Sequence, residues 1–528
     1  MSDQRRSGIV LPVFSLPSPQ GIGTFGRGAY LCIDFLAQAG QSFWQILPLT
    51  PTGFGDSPYQ SCSSKAGNPY FIDFELLERE GLLEPDDYHF ADFGQNVDRV
   101  DYAAVYQARP EVLRKAWKRG RETRKAELAA FREEHKDWLP DYALFMAVKA
   151  HFGMVALRDW PDEGILCRDP ASMTTYRNLL DQEIEYHEFI QLLFFRQWAE
   201  LKAYAAAQGI RIIGDVPIYV AEDSVEVWAE GRLFQLSAPG RPSHVAGVPP
   251  DLFSVTGQLW GNPLYDWKVH KKDGYRWWID RLRHAAAFFD VIRIDHFRGL
   301  YDYWSVEAGA ETAEDGVWEP GPGLDFVRAI RKALPEVDWI AEDLGDLDED
   351  AADFIRESGI PGMSVSIYGF DPNADGAYLA HNIRPDTVAY TSTHDSPTFV
   401  GWLHDEASPA DRAFADAYLR LNVQEGAGWG ALKTLWGTAA HRVLAPLQDV
   451  LGLGNDARIN RPATLGGGNW RWRIREEALN LHVAGMLRHI TETYRRLPPP
   501  PPEPEPEIDD DSAEGITVET PVKKASAS

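Results

Sequence analysis

The chain is organised around short apolar runs that are separated by longer amphipathic stretches. Seven of these runs predict buried β-strands, at residues 8–13, 42–49, 210–220, 289–297, 339–345, 363–369 and 387–395. An eighth strand is expected near residues 458–464. Helical periodicity fits between several runs, for example over residues 188–208. Strands that alternate with helices in this way indicate a parallel sheet.

About eight strand–helix units with unequal spacers predict an α/β fold, the (β/α)8 TIM barrel, with inserted subdomains. The barrel is expected to occupy residues 1–496, with largely helical insertions at about 50–209 and 221–288. Residues 104–150 are rich in Ala, Glu, Lys and Arg and account for part of the first insertion. Residues 497–528 are Pro-rich, then acidic, and cannot bury enough apolar surface to fold, so a disordered tail is predicted.

The net charge narrows the range of possible partners. The 528 residues include 52 Lys and Arg against 79 Asp and Glu, which gives a formal charge of −27. Such an excess of negative charge disfavours nucleic acids and anionic membrane surfaces and suits a neutral substrate. No secretory signal and no apolar run long enough to span a membrane are recognisable. Three scattered cysteines, Cys32, Cys62 and Cys167, suggest a reducing compartment, so a cytoplasmic protein is expected.

Four of the predicted strands end in a carboxylate. Asp215, Asp295, Glu342 and Asp395 each follow an apolar run. The carboxyl ends of barrel strands form the active-site face, so these four side chains should converge on one mouth. Any one of them could equally be a helix cap or a salt-bridge partner, but the same pattern on four separate strands favours chemistry.

Carboxylates in this arrangement suit a retaining glycoside transfer, which needs an ionised nucleophile and a proton donor about 5–5.5 Å apart. Arg293 lies two positions before Asp295, on the same side of the strand, and is expected to lower the pKa of that carboxyl. Apolar residues precede Glu342 and are expected to raise its pKa, as a general acid requires. Asp395 follows His394 and could accept hydrogen bonds from sugar hydroxyls.

Two further signals carry less weight. The segment GIGTFG, residues 21–26, fits the GxGxxG pattern of dinucleotide sites. Such a site needs a strand that runs straight into the turn and an acidic residue about 20 positions later. Here SLPSPQ separates the strand from the glycines, and Ile46 stands at the acidic position. The histidines and cysteines show no metal-ligand spacing, so no cofactor or metal is expected.

Several segments resemble those of a known family. The catalytic segments of the α-amylase clan are similar, in the same order, to RIDHFRG (293–299), AEDLG (341–345) and TSTHD (391–395). Over roughly residues 5–495 the chain resembles the 4-α-glucanotransferases, also called amylomaltases or disproportionating enzymes, of glycoside hydrolase family 77. The segments that carry this closer resemblance are GIGTFG (21–26), residues 44–73, GDVPIYV (214–220), GVPPDLFSVTGQLWGNPLYDW (247–267) and NRPATLGGGNWRWR (460–473).

The resemblance implies a role for each matching residue. Asp295 would be the nucleophile, Glu342 the general acid/base and Asp395 the stabiliser of the transition state. Residues 247–262 would form a flexible loop over the site, and a second loop would approach from the other side. The family often has Gly where this chain has Ala463, which leaves the shape of the second loop open. The residues expected to bind the sugar chain are Tyr59, Asp215, Arg293, His394, Asp251, Phe253, Trp260, Asn460 and Pro462.

The resemblance also implies an activity. A retaining 4-α-glucanotransferase moves α-1,4-glucan segments to the 4-hydroxyl of an acceptor through a covalent glucosyl-enzyme, without a cofactor. Its partners would be α-1,4-glucans and glucose. Two alternatives stay open from the sequence: an α-1,4-glucan hydrolase of the same clan, and a non-catalytic glucan-binding protein that kept the barrel. Transfer differs from hydrolysis in that water is excluded while the acceptor binds.

Overall fold

The core of the fold is a sheet of eight parallel strands. The computed structural model describes residues 4–53, 55–250, 254–345, 347–421 and 424–499. The strands of the main sheet are β1 (Arg6–Val10), β2 (Phe43–Gln45), β3 (Arg211–Val216), β4 (Val291–Ile294), β5 (Asp338–Ala341), β6 (Met363–Val365), β7 (Val388–Tyr390) and β8 (Arg442–Pro446). They are ordered β5-β4-β3-β2-β1-β8-β7-β6, and every neighbouring pair is parallel. This is the parallel α/β barrel that the sequence predicts.

The barrel is nearly closed between its two outermost strands, β5 and β6. No ladder pairing joins these strands within the described ranges. Instead Ala341, the last residue of β5, donates its backbone N–H to the Pro361 carbonyl at 2.8 Å. The Asp343 carboxylate then accepts the N–H of Met363, the first residue of β6, at 2.6 Å. Two hydrogen bonds therefore bridge the gap that ladder bonds close elsewhere in the barrel.

Helices surround the barrel and build its long connections. The predicted helix at 188–208 lies, up to residue 207, within Asp181–Ala207, and three helices cover most of the predicted helical region 104–150. No helix in the part of the chain that the structure describes is long and apolar enough to cross a membrane. The predicted tail lies, from residue 500, outside the described residues. The α-helices are Arg27–Gln38, Phe74–Arg79, Tyr102–Gly120, Lys125–Glu134, Leu139–His151, Glu163–Leu166, Pro170–Leu179, Asp181–Ala207, Val225–Ala229, Trp267–Lys272, Arg276–Phe288, Gly323–Ala333, Glu349–Ser358, Phe399–Gly401, Pro409–Leu419, Ala427–Trp436, Leu447–Val450 and Leu481–Thr493.

The eighth strand does not lie where the sequence analysis places it. It is β8, which pairs with β1 and β7, whereas residues 458–464 have turn and irregular backbone. The segment 458–464 has no continuous apolar run, and Pro462 lacks the N–H that a central strand must donate. The run RVLAP of β8 is only five residues long and ends in proline, so it carries little strand signal of its own.

A second, antiparallel sheet lies in the connections that flank β4. Its order is Val317–Pro320, Asp302–Glu307, His244–Val248 and Gln258–Pro263. A shorter antiparallel ladder joins Leu236–Ala238 to Arg241–Pro242.

The two ends of the predicted loop at residues 247–262 belong to the strands of a β-hairpin, because residues 247–248 and 258–262 lie in paired strands. The hairpin strands come very close at Gly247, where a side-chain Cβ would lie 2.5 Å from the Gln258 carbonyl oxygen. Glycine permits this approach because it has no Cβ. The predicted site residues Asp251 and Phe253 lie outside the described residues.

Alternate residues of the strands fill the barrel lumen. Intervening residues such as Ile9, Trp44 and Ile292 belong instead to the outer core against the helices. At the amino-terminal end of the lumen, Asp338 of β5 pairs with Arg442 of β8 at 2.5 Å. At the carboxyl-terminal end, polar side chains replace apolar ones. The buried apolar lumen residues are Val10, Phe43, Ile213, Val291, Ile340, Met363, Val365, Val388, Tyr390 and Leu444.

Gly8 in β1 leaves the room that Phe43 occupies. A Cβ at Gly8 would lie 2.5 Å from the Phe43 Cβ and 2.6 Å from the Phe43 carbonyl oxygen. We expect Gly8→Ala to reduce the free energy of unfolding by about 1–3 kcal/mol, because the added methyl forces the strands apart. Thermal unfolding measures this as a lower midpoint.

Gly485→Ala is the matched control for that substitution. Gly485 lies on the exposed side of the helix Leu481–Thr493, and an added Cβ meets no atom within 4 Å. Alanine should stabilise this helix by about 0.5–1 kcal/mol. Equal midpoints for the two variants would contradict the packing argument.

Candidate active site

The four predicted carboxylates lie at the carboxyl ends of barrel strands. Asp215 is the penultimate residue of β3, Asp295 follows β4, Glu342 follows β5, and Asp395 comes five residues after β7. Backbone hydrogen bonds of 3.0 Å continue the ladder beyond the strands, from the Asp295 N–H to Val216 and from the Glu342 N–H to Ile294. The fold therefore brings these side chains to one mouth.

Arg293 is the cation at the centre of the cluster. Its Nη1 donates to both carboxylate oxygens of Asp215, at 2.7 and 2.6 Å, and to Oδ1 of Asp295 at 2.8 Å. Asp215 and Arg293 are direct neighbours in the pairing of β3 and β4, so their side chains lie side by side and point into the barrel lumen. One guanidinium thus contacts two of the four carboxylates.

Tyr59 and His394 connect this ion cluster to Asp395. The Tyr59 hydroxyl donates to Oδ2 of Asp215 at 2.7 Å and lies 2.8 Å from Nε2 of His394. The same imidazole nitrogen is 3.1 Å from Oδ2 of Asp395. The two rings are nearly parallel, with centroids 5.5 Å apart. A continuous polar network therefore runs from Asp295 to Asp395.

Side-chain exposure separates the network into two layers. The Asp295 side chain is 24% exposed and that of Asp395 is 41% exposed, so both are open to the mouth. The side chains of Asp215 and Arg293 are 0% and 3% exposed. A bound molecule can reach the upper layer, whereas the lower layer contacts it only through other residues.

Glu342 is held by two backbone groups. Its Oε2 accepts the N–H of His296 at 2.7 Å, and its Oε1 accepts the N–H of Leu344 at 2.9 Å. His296 directly follows Asp295 and has a φ of 49°, in the left-handed region. This turn directs the His296 N–H at Glu342, so the chain after β4 orients the carboxyl after β5.

Burial raises the pKa of both Asp295 and Glu342. The pKa of Asp295 rises to about 6, because desolvation outweighs the attraction of Arg293, and the nearby Asp215 and Asp395 charges add to the rise. The pKa of Glu342 rises to about 7, through desolvation first, against the opposing charge of Arg293. The prediction that the pKa of Asp295 is lowered is therefore wrong, although Arg293 by itself does lower this pKa. The predicted rise in the pKa of Glu342 is confirmed.

The pKa of Asp395 is shifted in the opposite direction, downward. Burial opposes its ionisation, but the charge and hydrogen bond of His394, together with the Asn460 amide, lower its pKa to about 2. Burial would lower the pKa of His394, and the Asp395 carboxylate reverses this and raises it. The mouth thus holds one carboxylate that stays ionised and two whose protonation changes near neutral pH.

Trp260 lies on the hairpin side of the mouth. Its ring meets His296 edge to face, with centroids 4.8 Å apart. Gln60, next to Tyr59, donates to the Trp260 carbonyl at 3.2 Å and to the Asn262 side chain at 2.9 Å. The hairpin is therefore fixed to the loop that carries Tyr59.

The second predicted loop reaches the site through Asn460. Its amide donates to Oδ1 of Asp395 at 2.7 Å, and its backbone N–H donates to the His394 carbonyl at 3.0 Å. Pro462 is half-buried two residues farther along. Ala463 has a φ of 60°, the left-handed region that favours glycine, so the backbone has the conformation suited to the usual family residue.

Trp470 is a neighbour of the network that the sequence analysis did not single out. Its ring centroid lies 5.8 Å from that of Tyr59 and 6.3 Å from that of His394. It stands in the segment NRPATLGGGNWRWR, where nothing in the sequence indicates which of the two tryptophans faces the site. No group of three or more His, Cys, Asp or Glu side chains that could hold a metal occurs among the described residues.

Comparisons with known proteins agree over most of the chain. A family model described as 4-alpha-glucanotransferase matches residues 11–480. A 4-alpha-glucanotransferase of Clostridium butyricum is 42% identical over 485 residues, which are 92% of this chain and 99% of that protein. One of Synechocystis is 44% identical over 503 residues, 94% of this chain and 99% of that protein.

A solved structure is similar over the same range. The amylomaltase from Streptococcus agalactiae in complex with acarbose is 43% identical and has a TM-score of 0.91. The match covers 94% of this chain and 100% of that one. On the family model, the sequence relatives and the shared fold, this chain belongs to the 4-alpha-glucanotransferase family.

Proposed function

We propose that this enzyme moves α-1,4-glucan segments by retaining double displacement, with Asp295 as nucleophile, Glu342 as general acid/base and Asp395 as stabiliser of the sugar cation. One observation carries the assignment of roles. Asp295 and Glu342 stand at the ends of the neighbouring strands β4 and β5, where Arg293 donates to Asp295 and two backbone N–H groups hold Glu342, and Asp395 lies at the same mouth. Burial raises the pKa of Glu342, as a proton donor requires, and His394 together with Asn460 lowers the pKa of Asp395, so that Asp395 stays ionised opposite the sugar cation.

In the first step Asp295 attacks the anomeric carbon of the donor and forms a glucosyl ester. Glu342 gives its proton to the glycosidic oxygen as that bond breaks, and the shortened donor leaves. The sugar carries positive charge in the transition state, and the ionised Asp395 faces it from the other side of the mouth. Arg293 and Asp215 hold Asp295 from below.

In the second step the acceptor takes the place of the departed fragment. Glu342, now ionised, removes the proton of the acceptor 4-hydroxyl, and that oxygen attacks the anomeric carbon and displaces Asp295. Two inversions retain the α linkage, and no external energy source is needed because the bond energy is conserved in the ester. The proton returns to Glu342, so the enzyme ends as it began.

Transfer requires that water does not reach the ester before the acceptor. The hairpin that carries Trp260 supplies an apolar wall beside His296, directly next to Asp295. The relative whose structure contains acarbose supports the same class of ligand here. We also propose a reducing compartment, the cytoplasm, because Cys32, Cys62 and Cys167 are unpaired thiols.

Asp295→Asn tests the nucleophile with maltotriose as the sole substrate. Wild type should release glucose together with maltopentaose and longer products, and the variant should lose at least about a thousandfold in kcat. Asp290→Asn is the matched control, because Asp290 precedes the same strand at the opposite end of the barrel. Glucose and maltose without longer products from wild type would instead identify a hydrolase, and glucan binding without turnover a binding protein.

Glu342→Gln separates the acid from the nucleophile. Fluoride is a leaving group that needs no proton, so Glu342→Gln should still release fluoride from α-maltotriosyl fluoride in the first, ester-forming step while losing turnover of maltotriose. Asp295→Asn should lose both reactions. Fluoride electrode readings beside product chromatography measure the difference. Loss of fluoride release in Glu342→Gln to the level of Asp295→Asn would remove the acid role.

The pKa values predict a bell-shaped pH profile for kcat/KM. Below about pH 6 Asp295 takes up a proton and stops being a nucleophile, and above about pH 7 Glu342 loses the proton it must donate. Initial rates with maltotriose should therefore fall on both sides of this interval. With α-maltotriosyl fluoride, Glu342→Gln should keep the acid limb and lose the alkaline one. An alkaline limb that persists in that variant would assign it to another group.

A further inference from the structure

Asp449 is a fully buried carboxylate that the proposed reaction does not use. It lies in the short helix Leu447–Val450 directly after β8, and its exposed fraction is 0%. Its Oδ2 accepts the hydroxyls of Thr391 at 2.5 Å and Ser392 at 2.6 Å. Its Oδ1 accepts the backbone N–H of Phe399 at 2.7 Å. An isolated buried carboxylate is costly, and these three donors provide its compensation.

All three donors belong to one loop, residues 391–399, which carries His394 and Asp395. Thr391 and Ser392 enter the loop from β7, and Phe399 opens the helix that follows it. Asp449 therefore ties the two ends of the loop together. Between these ends the hydrogen bonds that the loop makes with itself are local, such as the Thr393 N–H to the Ser396 hydroxyl at 2.8 Å and the Asp395 N–H to the Thr393 hydroxyl at 3.3 Å.

We propose that Asp449 is a positioning residue for Asp395, fixing the base of the 391–399 loop so that the Asp395 carboxylate keeps its place opposite Asp295. The inference rests on the proposed role of Asp395. The Asp395 carboxylate contacts Asn460 and His394, and the Asp395 carbonyl accepts a hydrogen bond from Arg458 at 2.9 Å. His394 belongs to the loop itself, and Arg458 and Asn460 belong to a segment without a strand or helix. Asp449 anchors the loop to β8, which is part of the barrel wall.

The donor pattern explains why a carboxylate stands at this position. Two hydroxyls converge on one oxygen and an amide N–H on the other, so acceptors are needed on both sides. An asparagine could serve the Phe399 N–H with its oxygen, and its NH2 would then face the two hydroxyls, which can rotate to accept. We therefore expect Asp449→Asn to be mild and Asp449→Ala to be severe.

Asp73 provides a matched control elsewhere in the fold. It is 4% exposed, and its Oδ2 accepts the Thr24 hydroxyl at 2.7 Å and the Gln20 amide at 3.0 Å. Its Oδ1 accepts the Leu76 N–H at 3.0 Å. The pattern is the same as at Asp449, with two side-chain donors on one oxygen and a backbone N–H on the other. None of its partners belongs to the active-site network.

The first experiment compares Asp449→Ala with Asp73→Ala on maltotriose, below both unfolding midpoints. Asp449→Ala should lower kcat by about 10- to 100-fold with KM little changed, because a displacement of about 1 Å at a reacting group has effects of this size. Asp73→Ala should lower the midpoint while kcat stays near wild type. Similar kcat values for the two variants would overturn the inference. If Asp449→Ala does not fold, Thr391→Val, which keeps the side-chain shape and removes one hydroxyl, replaces it.

A double-mutant cycle tests whether Asp449 acts through Asp395. The cycle combines Asp449→Ala with Asp395→Asn and uses α-maltotriosyl fluoride so that slow turnover stays measurable. In the Asp395→Asn background, Asp449→Ala should cause almost no further loss of kcat. An equal loss in both backgrounds would overturn the positioning role and leave the proposed reaction intact. Wild-type kcat in Asp395→Asn alone would instead overturn the role of Asp395 in the proposed function.

Discussion

The active site depends on how one buried guanidinium is shared. Arg293 contacts both Asp215 and Asp295 and is itself 3% exposed. Were Asp295 its only partner, Arg293 would hold that carboxyl strongly ionised and poorly nucleophilic. Asp215, sealed from solvent, takes up part of the positive charge, so desolvation outweighs the attraction of Arg293 and the pKa of Asp295 stays raised. Removing Arg293 would leave the buried Asp215 carboxylate without its counter-ion, a change that typically costs about 3–5 kcal/mol.

The same network orients the two sides of the mouth relative to each other. Tyr59 connects Asp215 to His394, and His394 contacts Asp395, so the β3–β4 side and the β7 side share one chain of hydrogen bonds. Each member limits the rotamers of the next. Pre-organisation of this kind lets the charges face the developing sugar cation without rearranging during the reaction.

Much of this arrangement is visible in the sequence, for identifiable reasons. Seven strands are recognisable because each contains a continuous apolar run, and the four carboxylates stand out because they end such runs. β8 is missed because its run is short, and the hairpin at 244–263 because its Gly and Pro residues are typical of loops. The net pKa of Asp295 depends on burial and on Asp215, which is distant in sequence. Asp449 gives no signal, since its partners Thr391, Ser392 and Phe399 meet it only in three dimensions.

The buried carboxyls also connect catalysis to protein stability. Burial raises the pKa values of Asp295 and Asp343 to about 6 and that of Glu342 to about 7, above those of carboxyls in an unfolded chain. Folding therefore takes up protons near neutral pH. The stability that these three groups contribute is present in acid and is lost as the pH rises through about 6–7. Asp395, with its pKa lowered to about 2, acts in the opposite sense only in strong acid. The proton that Glu342 donates to a glycosidic oxygen is thus one that the folded chain has bound in forming its barrel, so the ionisation of this one group as the pH rises to about 7 weakens both the enzyme's chemistry and its fold.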